Sequence, residues 1–501
     1  MGPAFCYKQI DGCRGLRIAA KQPRLGTIVV ASSFSGLRKP PHPCGIRRAV
    51  MASIALTLLA VVFPSPAMAQ QRIAPPQFVE TNHQVPSPQY AQPSRLGLPV
   101  ETAPAGSSTS TFDLLQWIDL AVLAGALGLS AYLVLVKRRR AWIVALGIAC
   151  LAYFGFWRQG CVCPVGSVQN VSFALFGGYA MPLVTLGFFA LPIVAALFVG
   201  RVFCGSACPI GAMQDLLLLR PLRVWAWLDR AGRVGPYAML AAAVLFAAGG
   251  SAFVVCRFDP MVGFWRLSAA PWALAMGLTV LVTSIFIGRP YCRYVCPYGV
   301  LLGWASRLAK WRLSVSSSKC VQCRLCETGC PFGALQMPSP QPRPTKPMRW
   351  LAAGALTLLP VVAVLLGYGG YAIGPALARV DSVVSLYDQV QLEQQAAALG
   401  QSDLTDAFLR SGESVESLSA RAGAIVERFR IGGLASGAFV ALALGAAVVA
   451  PLVRRRRDAY EPHPGRCFSC GRCVERCPVE HARRRGRSPK ELRTPQQEAV
   501  R

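Results

Sequence analysis

Histidine is scarce in this sequence: the 501 residues hold four, at positions 42, 83, 463 and 481, and none falls within a long apolar run. Paired axial imidazoles for a membrane haem are thereby excluded, and no C-x-x-C-H run offers covalent haem attachment. Acidic residues are few as well, 23 Asp and Glu against 52 Lys and Arg. Charge of either sign makes up only 15% of the chain, well under the roughly 25% of soluble domains. Neither G-x-G-x-x-G nor a P-loop occurs, so nothing supports nicotinamide, FAD or nucleotide hydrolysis.

Apolar residues are abundant instead, at 53% of the chain with a mean hydropathy of +0.41. Large soluble chains divide into domains; they do not grow oilier. Apolar runs recur at 114–136, 141–157, 182–200, 236–255, 271–288, 350–374 and 431–453, each near the about 20 residues a membrane helix needs. The fold class expected is mainly α, a polytopic membrane protein of about seven transmembrane helices. The net charge of +29 could mark a nucleic-acid binder. Its basic clusters, Lys137–Arg140 and Arg454–Arg457, end apolar runs instead. That is the excess of cytoplasmic Lys and Arg typical of membrane proteins, so no nucleic-acid partner is expected.

The order of segments fits that class. Arg47-Arg48, the apolar stretch 52–63 and the small-residue site Ala67-Met68-Ala69 read as a signal peptide closing a 1–69 leader, its start over-extended. Residues 70–112, rich in Pro, Gln, Ser and Thr, form a flexible periplasmic linker. A membrane domain over 113–315 precedes a cysteine-rich segment at 316–345. Two further spans over 346–454 enclose a loop whose residues 375–430 fit either a small helical lobe or a solvated connection. A second cysteine-rich segment at 455–485 and a basic tail at 486–501 follow. With the mature N-terminus outside, the odd-numbered spans leave the membrane at Lys137–Arg140, Arg201, Arg289 with Arg293, and Arg454–Arg457. Every inside end is basic, which supports this orientation independently of the leader.

The chemistry lies in the 19 cysteines. Cys320, Cys323, Cys326 and Cys330-Pro331 have the spacing C-x2-C-x2-C-x3-C-P, repeated at Cys467, Cys470, Cys473 and Cys477-Pro478. This is the bacterial ferredoxin run, in which three thiolates close on one 4Fe–4S cubane and the fourth reaches the neighbouring one. Two clusters with crossed ligands are expected: Cys320, Cys323, Cys326 and Cys477 for one, Cys467, Cys470, Cys473 and Cys330 for the other. Structural zinc would favour two C-x2-C pairs across a longer loop. A second group, Cys204-x3-Cys208-Pro209 and Cys292-x3-Cys296-Pro297, offers further metal or redox thiols, or buried thiols at helix ends. A third, Cys161, Cys163 and Cys256, faces outward, where thiols oxidise: a disulfide or a redox relay fits. Cys150, alone within a span, reads as packing. Asp119 sits in the first span close to its outer end, which favours the interface over a buried functional acid. No residue is assigned a catalytic role.

The ensemble of Gly200–Gln214, Cys256-Arg-Phe-Asp259-Pro260, Cys292–Gly299, the two ferredoxin runs and Cys161–Asn170 resembles the NosR/NirI family across residues 114–480. NapH-like membrane ferredoxins share the looser plan. The resemblance implies an inner-membrane iron–sulfur protein that supports periplasmic nitrous oxide reductase by supplying electrons. Family members also carry an exported FMN-binding domain with a Ser/Thr attachment motif. Here Ser107–Thr111 lacks such a domain, so no FMN is expected within this chain. The function expected is electron transfer from a cytoplasmic or quinone donor to a periplasmic copper reductase or flavoprotein. A redox-sensing or metalloenzyme-maturation protein is the alternative.

Overall fold

The computed structural model describes residues 109–158, 160, 164–177, 181–222, 224–259, 264–265, 271–315, 320–338, 346–395, 403–410, 412–449 and 459–484. The leader with its cleavage site, the linker up to residue 108, Cys161, Cys163 and the basic tail lie outside the described residues. Among those described, regular structure is almost entirely helical. The first apolar run forms α1 (Thr109–Tyr132), extended by a wide π-type turn at Leu133–Lys137. The second forms α2 (Arg140–Cys150), extended likewise to Trp157. Then come α3 (Pro164–Gly177), α4 (Leu183–Val199), α5 (Pro209–Leu217), α6 (Gly235–Ala248), α7 (Pro271–Phe286) and α8 (Tyr298–Ala305). The long helices α9 (Lys346–Ala378) and α12 (Val415–Val449) flank α10 (Ser382–Gln395) and α11 (Asp403–Arg410).

Among the described residues, five stretches are long and apolar enough to cross a membrane: Leu114–Lys137, Arg140–Trp157, Ala226–Ala248, Trp350–Ala378 and Val415–Val449. The third and fifth expected runs are shorter apolar helices, Leu183–Val199 and Trp272–Phe286. Each stops where the chain turns sharply away. Gly200 has φ +84° and Arg289 φ +50°, left-handed conformations that a helix does not pass through. The fourth run begins at Ala226, earlier than its apolar core at 236. The last helix begins at Val415, well before 431, because helical burial persists through Leu418, Ala422 and Phe429.

That persistence resolves the 375–430 loop as a helical lobe. Val390, Phe408 and Leu418 form one small core, and Ala378, Val384, Ala422 and Phe429 form another with Leu245 and Phe246 of α6. Where α9 and α12 cross, Gly370 meets Gly433, Gly367 meets Gly437, and Gly374 lies against the backbone of Phe429 and Arg430. A Cβ on Gly370 or Gly433 would strike the other's carbonyl oxygen, and one on Gly437 would strike that of Leu366. Lipid supplies no hydrophobic drive between helices, so backbones held this close by small residues bind through van der Waals packing.

The main core is one continuous body. Leu123, Val134, Phe188, Val202, Tyr298 and Leu302 join Phe332, Phe468 and Val474, so the helices and both cysteine-rich segments share it. A two-residue antiparallel ladder unites those segments: β1 (Leu335–Gln336) pairs with β2 (Glu461–Pro462), Leu335 opposite Pro462 and Gln336 opposite Glu461.

Candidate metal centres

Each ferredoxin run is wound in the same way. The residues on either side of the second cysteine take left-handed backbone angles: Gln322 (φ +52°) and Arg324 (+63°) in the first run, Ser469 (+52°) and Gly471 (+74°) in the second. Three of these four are not glycine, and such angles cost a side-chain-bearing residue energy. They bend the chain around a point, and a short helix then carries the third cysteine: Leu325–Thr328 in one run, Arg472–Glu475 in the other. The fourth cysteine leaves at a Cys-Pro step.

Four thiols line a single cavity, Cys320, Cys323, Cys326 and Cys477, together with Tyr460, Val474, Val479 and Glu480. Burial pushes the Cys326 thiol up to about 11, and Cys320, Cys323 and Cys477 add to the rise. Cys330 lies instead with the other set. Burial raises Cys467 to about 12, with Cys470 and Cys330 contributing. Cys473 is raised by burial, then by Cys467, Cys470, Cys330 and, across the gap, Cys326. The structure thus gathers Cys477 with the first three cysteines of the other run, and Cys330 likewise. Thiols this high are neutral at pH 7, so any metal they bind must displace their protons. Among the described residues no three His, Cys, Asp or Glu converge as one ion would require. A cubane spreads its four thiolates over four irons and asks for no such convergence.

The second group also gathers. Cys208 is raised by burial and by Cys292, Cys204 and Cys296, so the four thiols lie near one another. Nε2 of Gln214 donates to Cys292 Sγ at 3.8 Å, and Arg201 Nη2 to Cys204 Sγ at 3.7 Å. Arg289, fully buried, donates to the carbonyls of Cys204 and Gly205 and lies over the rings of Phe332 and Phe468 at 5.7 and 5.5 Å. Arg201 covers Phe468 at 4.6 Å and donates to Gly465 O at 3.1 Å. Asp215 meets three arginines: Arg472 at 3.0 Å, Arg140 at 3.4 Å and Arg289 at 3.9 Å. Burial alone would raise its carboxyl, but Arg289, Arg472 and Arg140 hold it below the usual carboxylate range.

Sequence reasoning treats Arg201, Arg289 and Arg293 as topology markers and passes over Gln214 and Asp215. A visible signal was the arginine three residues before the first cysteine in both C-x3-C-P segments. The basic ends of the first, third and fifth apolar runs meet the ferredoxin halves at one end of the helices. Arg138 pairs with Glu480 at 3.8 Å there, and Arg293 donates to Pro331 O at 3.4 Å.

In the third cysteine group, Cys256 lies beside α3: its amide donates to Gln169 Oε1 at 3.3 Å, and its sulfur faces Gly166. A pairing with Cys161 or Cys163 lies outside the described residues. Cys150 is buried in the main core. Asp119 is enclosed by protein side chains. It is 2% exposed, bound by Arg158 at 2.6 Å and by the Tyr153 hydroxyl at 2.9 Å, because a carboxylate removed from water needs a cation and donors.

Two family models described as 4Fe–4S binding domains match the chain, one at residues 181–227 and 269–316, the other at 313–336. The first brackets both C-x3-C-P segments. NirI of Paracoccus denitrificans is 32% identical over 266 residues, 47% of this chain and 38% of that protein. The regulatory protein NosR of Pseudomonas aeruginosa is 31% identical over 209 residues, 37% of this chain and 28% of that one. YccM of Escherichia coli is 29% identical over 191 residues, 34% of this chain and 52% of its own length. The chain therefore spans about half or less of these curated relatives. No solved structure matches.

Proposed function

This chain belongs to the NosR/NirI family of 4Fe–4S proteins, and from that premise we propose that it passes single electrons across a bacterial inner membrane. Its role as a membrane iron–sulfur protein in electron transfer follows from its relatives and its matched domains. In our reading Cys320, Cys323, Cys326 and Cys477 hold one cluster and Cys467, Cys470, Cys473 and Cys330 hold another. Both lie on the cytoplasmic side, below seven spans. The donor is cytoplasmic or a quinol, the acceptor a periplasmic copper reductase or flavoprotein, and nitrous oxide respiration is one setting.

The observation that carries this reading is the exchange of the fourth cysteines between the two runs. A 4Fe–4S cluster with four cysteine ligands accepts and releases one electron and leaves no iron open for substrate. The residues around it keep water away and set the field. Phe332 and Phe468 pack edge to face with centroids 5.0 Å apart beside the second set, and Arg289 and Arg201 place positive charge against those rings. Positive charge and scarce water favour the more negative, reduced cluster or its oxidised form according to their balance, which is how a protein tunes such a centre.

The test is anaerobic purification of the full chain in detergent, with iron, acid-labile sulfide and EPR measured after dithionite reduction. At least about eight irons with reducible cubane signals are expected. Zinc in place of iron would overturn the reading. The word regulatory in the name of the NosR relative favours a second reading, redox sensing. Electron flow from a quinol to an exported acceptor in vesicles separates the two, because a sensor shows none.

A further inference from the structure

Where the cysteine-rich segments meet α6, α8 and α12, a cavity of about 170 Å³ is lined by six arginines, Arg201, Arg230, Arg233, Arg293, Arg307 and Arg466, and by no Asp or Glu. They converge from separate parts of the chain. Arg201 follows α4, Arg230 and Arg233 precede α6, Arg293 and Arg307 flank α8, and Arg466 stands one residue before Cys467. A single carboxylate just outside the cavity answers two of them: Asp229 pairs with Arg233 at 2.9 Å and with Arg293. Among the described residues, Arg201, Arg230, Arg307 and Arg466 have no ion-pair partner. The charges that act on Arg466 are those of Arg233, Arg293 and Arg307, opposed by Asp229.

Like charges held this close repel, and more strongly where water is scarce. Arg230 and Arg307 are exposed, Arg233 and Arg466 half-buried, and Arg201 and Arg293 buried at 6% and 9% exposure. The Nε atoms of Arg201 and Arg293 are buried without a hydrogen-bond partner. Buried donors left open call for an explanation, and an acceptor that enters the cavity supplies one. Guanidinium groups fit phosphate oxygens, which take their N–H donors in pairs.

The remaining lining points to what carries the phosphate. Tyr237 of α6, Trp304 of α8 and Phe439 of α12 cluster with ring centroids 6.0–6.1 Å apart, and Tyr237 and Trp304 both line the cavity. Ala443, Ala446 and Ala447 extend that lining along α12. Tyr and Trp collect where hydrocarbon meets headgroups, and α6 and α12 belong to stretches long and apolar enough to cross a membrane. A free anion would use the arginines and leave this apolar surface without a role. An amphiphile uses both, and basic pockets between membrane helices are where anionic headgroups lodge.

We propose that this cavity holds the phosphate headgroup of an anionic phospholipid, with the start of its acyl chains against Tyr237, Trp304 and the alanines of α12. The exposed Arg230 and Arg307 meet the phosphate first, and Arg201 and Arg293 supply the buried donors. Binding is non-covalent and moves no electron, so the site does not depend on how many clusters the chain carries.

The test uses the full chain in detergent, washed free of lipid and titrated with tetraoleoyl cardiolipin, dioleoyl phosphatidylcholine or inorganic phosphate, with native mass spectrometry counting what each molecule retains. One tightly held cardiolipin is expected, and phosphatidylcholine, with the same chains and no net charge, is expected to be retained far more weakly. Arg230→Gln and Arg307→Gln should each weaken cardiolipin binding about fivefold, the worth of one arginine near an anionic surface. Arg379→Gln, at an exposed arginine paired with Asp388, should leave it unchanged. Should the cavity variants fail to accumulate, the unmodified chain decides: cardiolipin retention should fall with rising salt while that of phosphatidylcholine does not. Equal retention of the two lipids, or equal binding by the Arg230, Arg307 and Arg379 variants, overturns the site. Displacement of cardiolipin by millimolar inorganic phosphate overturns the lipid and assigns the arginines to free phosphate.

Discussion

Asp215 is the residue on which the docking of the second ferredoxin half turns, because it alone answers Arg140 of α2, Arg289 and Arg472 together. Replacing it with Asn leaves buried guanidinium groups without their carboxylate, and removing one partner of a buried ion pair costs about 3–5 kcal/mol. Thermal unfolding of Asp215→Asn should show a loss of that order, with Asp215→Glu recovering part of it. The folded state binds the ionised carboxylate and depresses its pKa. This contribution is therefore complete above the ordinary carboxylate pKa near 4 and disappears as pH falls through the lower folded value. Unfolding midpoints taken from pH 6 down to pH 3 should fall less steeply in Asp215→Asn than in the unmodified protein. Cys330 yields a sharper expectation. Cys330→Ser should remove the EPR signal of the centre built on Cys467, Cys470 and Cys473 and spare the one built on its own neighbours Cys320, Cys323 and Cys326. Loss of the near signal with the far one intact would refute crossed ligation.

At the scale of elements, the α9–α12 pair depends on glycines where the backbones touch. Gly433→Leu inserts a side chain where not even a Cβ fits, and overpacking costs typically about 1–3 kcal/mol. Protease resistance of the helical lobe between the two helices should drop in Gly433→Leu and remain in Gly423→Leu, where a Cβ meets nothing. Much at this scale was legible beforehand. Long uncharged runs specify helices in lipid whatever their neighbours do, so α1, α2, α9 and α12 follow from 114–136, 141–157, 350–374 and 431–453. The ferredoxin spacing is legible too, since it encodes a local winding. Illegible were the shortness of α4 and α7, set by the sharp turns at Gly200 and Arg289, and the roles of Arg201, Arg289 and Asp215. Charge at a span end reads as topology, and only the packed structure shows three arginines turned inward onto one carboxylate. The lobe stayed ambiguous because Val390, Phe408 and Leu418 are too few to form a strong periodic signal, yet they suffice once α6 packs against the neighbouring layer.

For the whole molecule, the ladder between β1 and β2 and the meeting of Arg138 with Glu480 put both cysteine-rich segments at one end of the helices. Reporter fusions after Gln395, in the lobe, and after Arg484 should report opposite sides of the membrane, alkaline phosphatase being active at the first and a fluorescent protein at the second. Equal activity at both would refute the orientation. The same ladder has a consequence for how the protein is made. Its two strands leave the ribosome far apart in time: Cys467 follows Cys330 by 137 positions (467 − 330), about 7–27 s at about 5–20 residues per second. On the crossed-ligand proposal the early run waits still longer, since its fourth partner Cys477 follows Cys330 by 147 positions (477 − 330) and lies beyond two helices that have yet to enter the bilayer. On that proposal, completion of the first centre would wait on membrane insertion. A chain whose hairpin fails to thread would leave the first run without Cys477, and its centre unfinished.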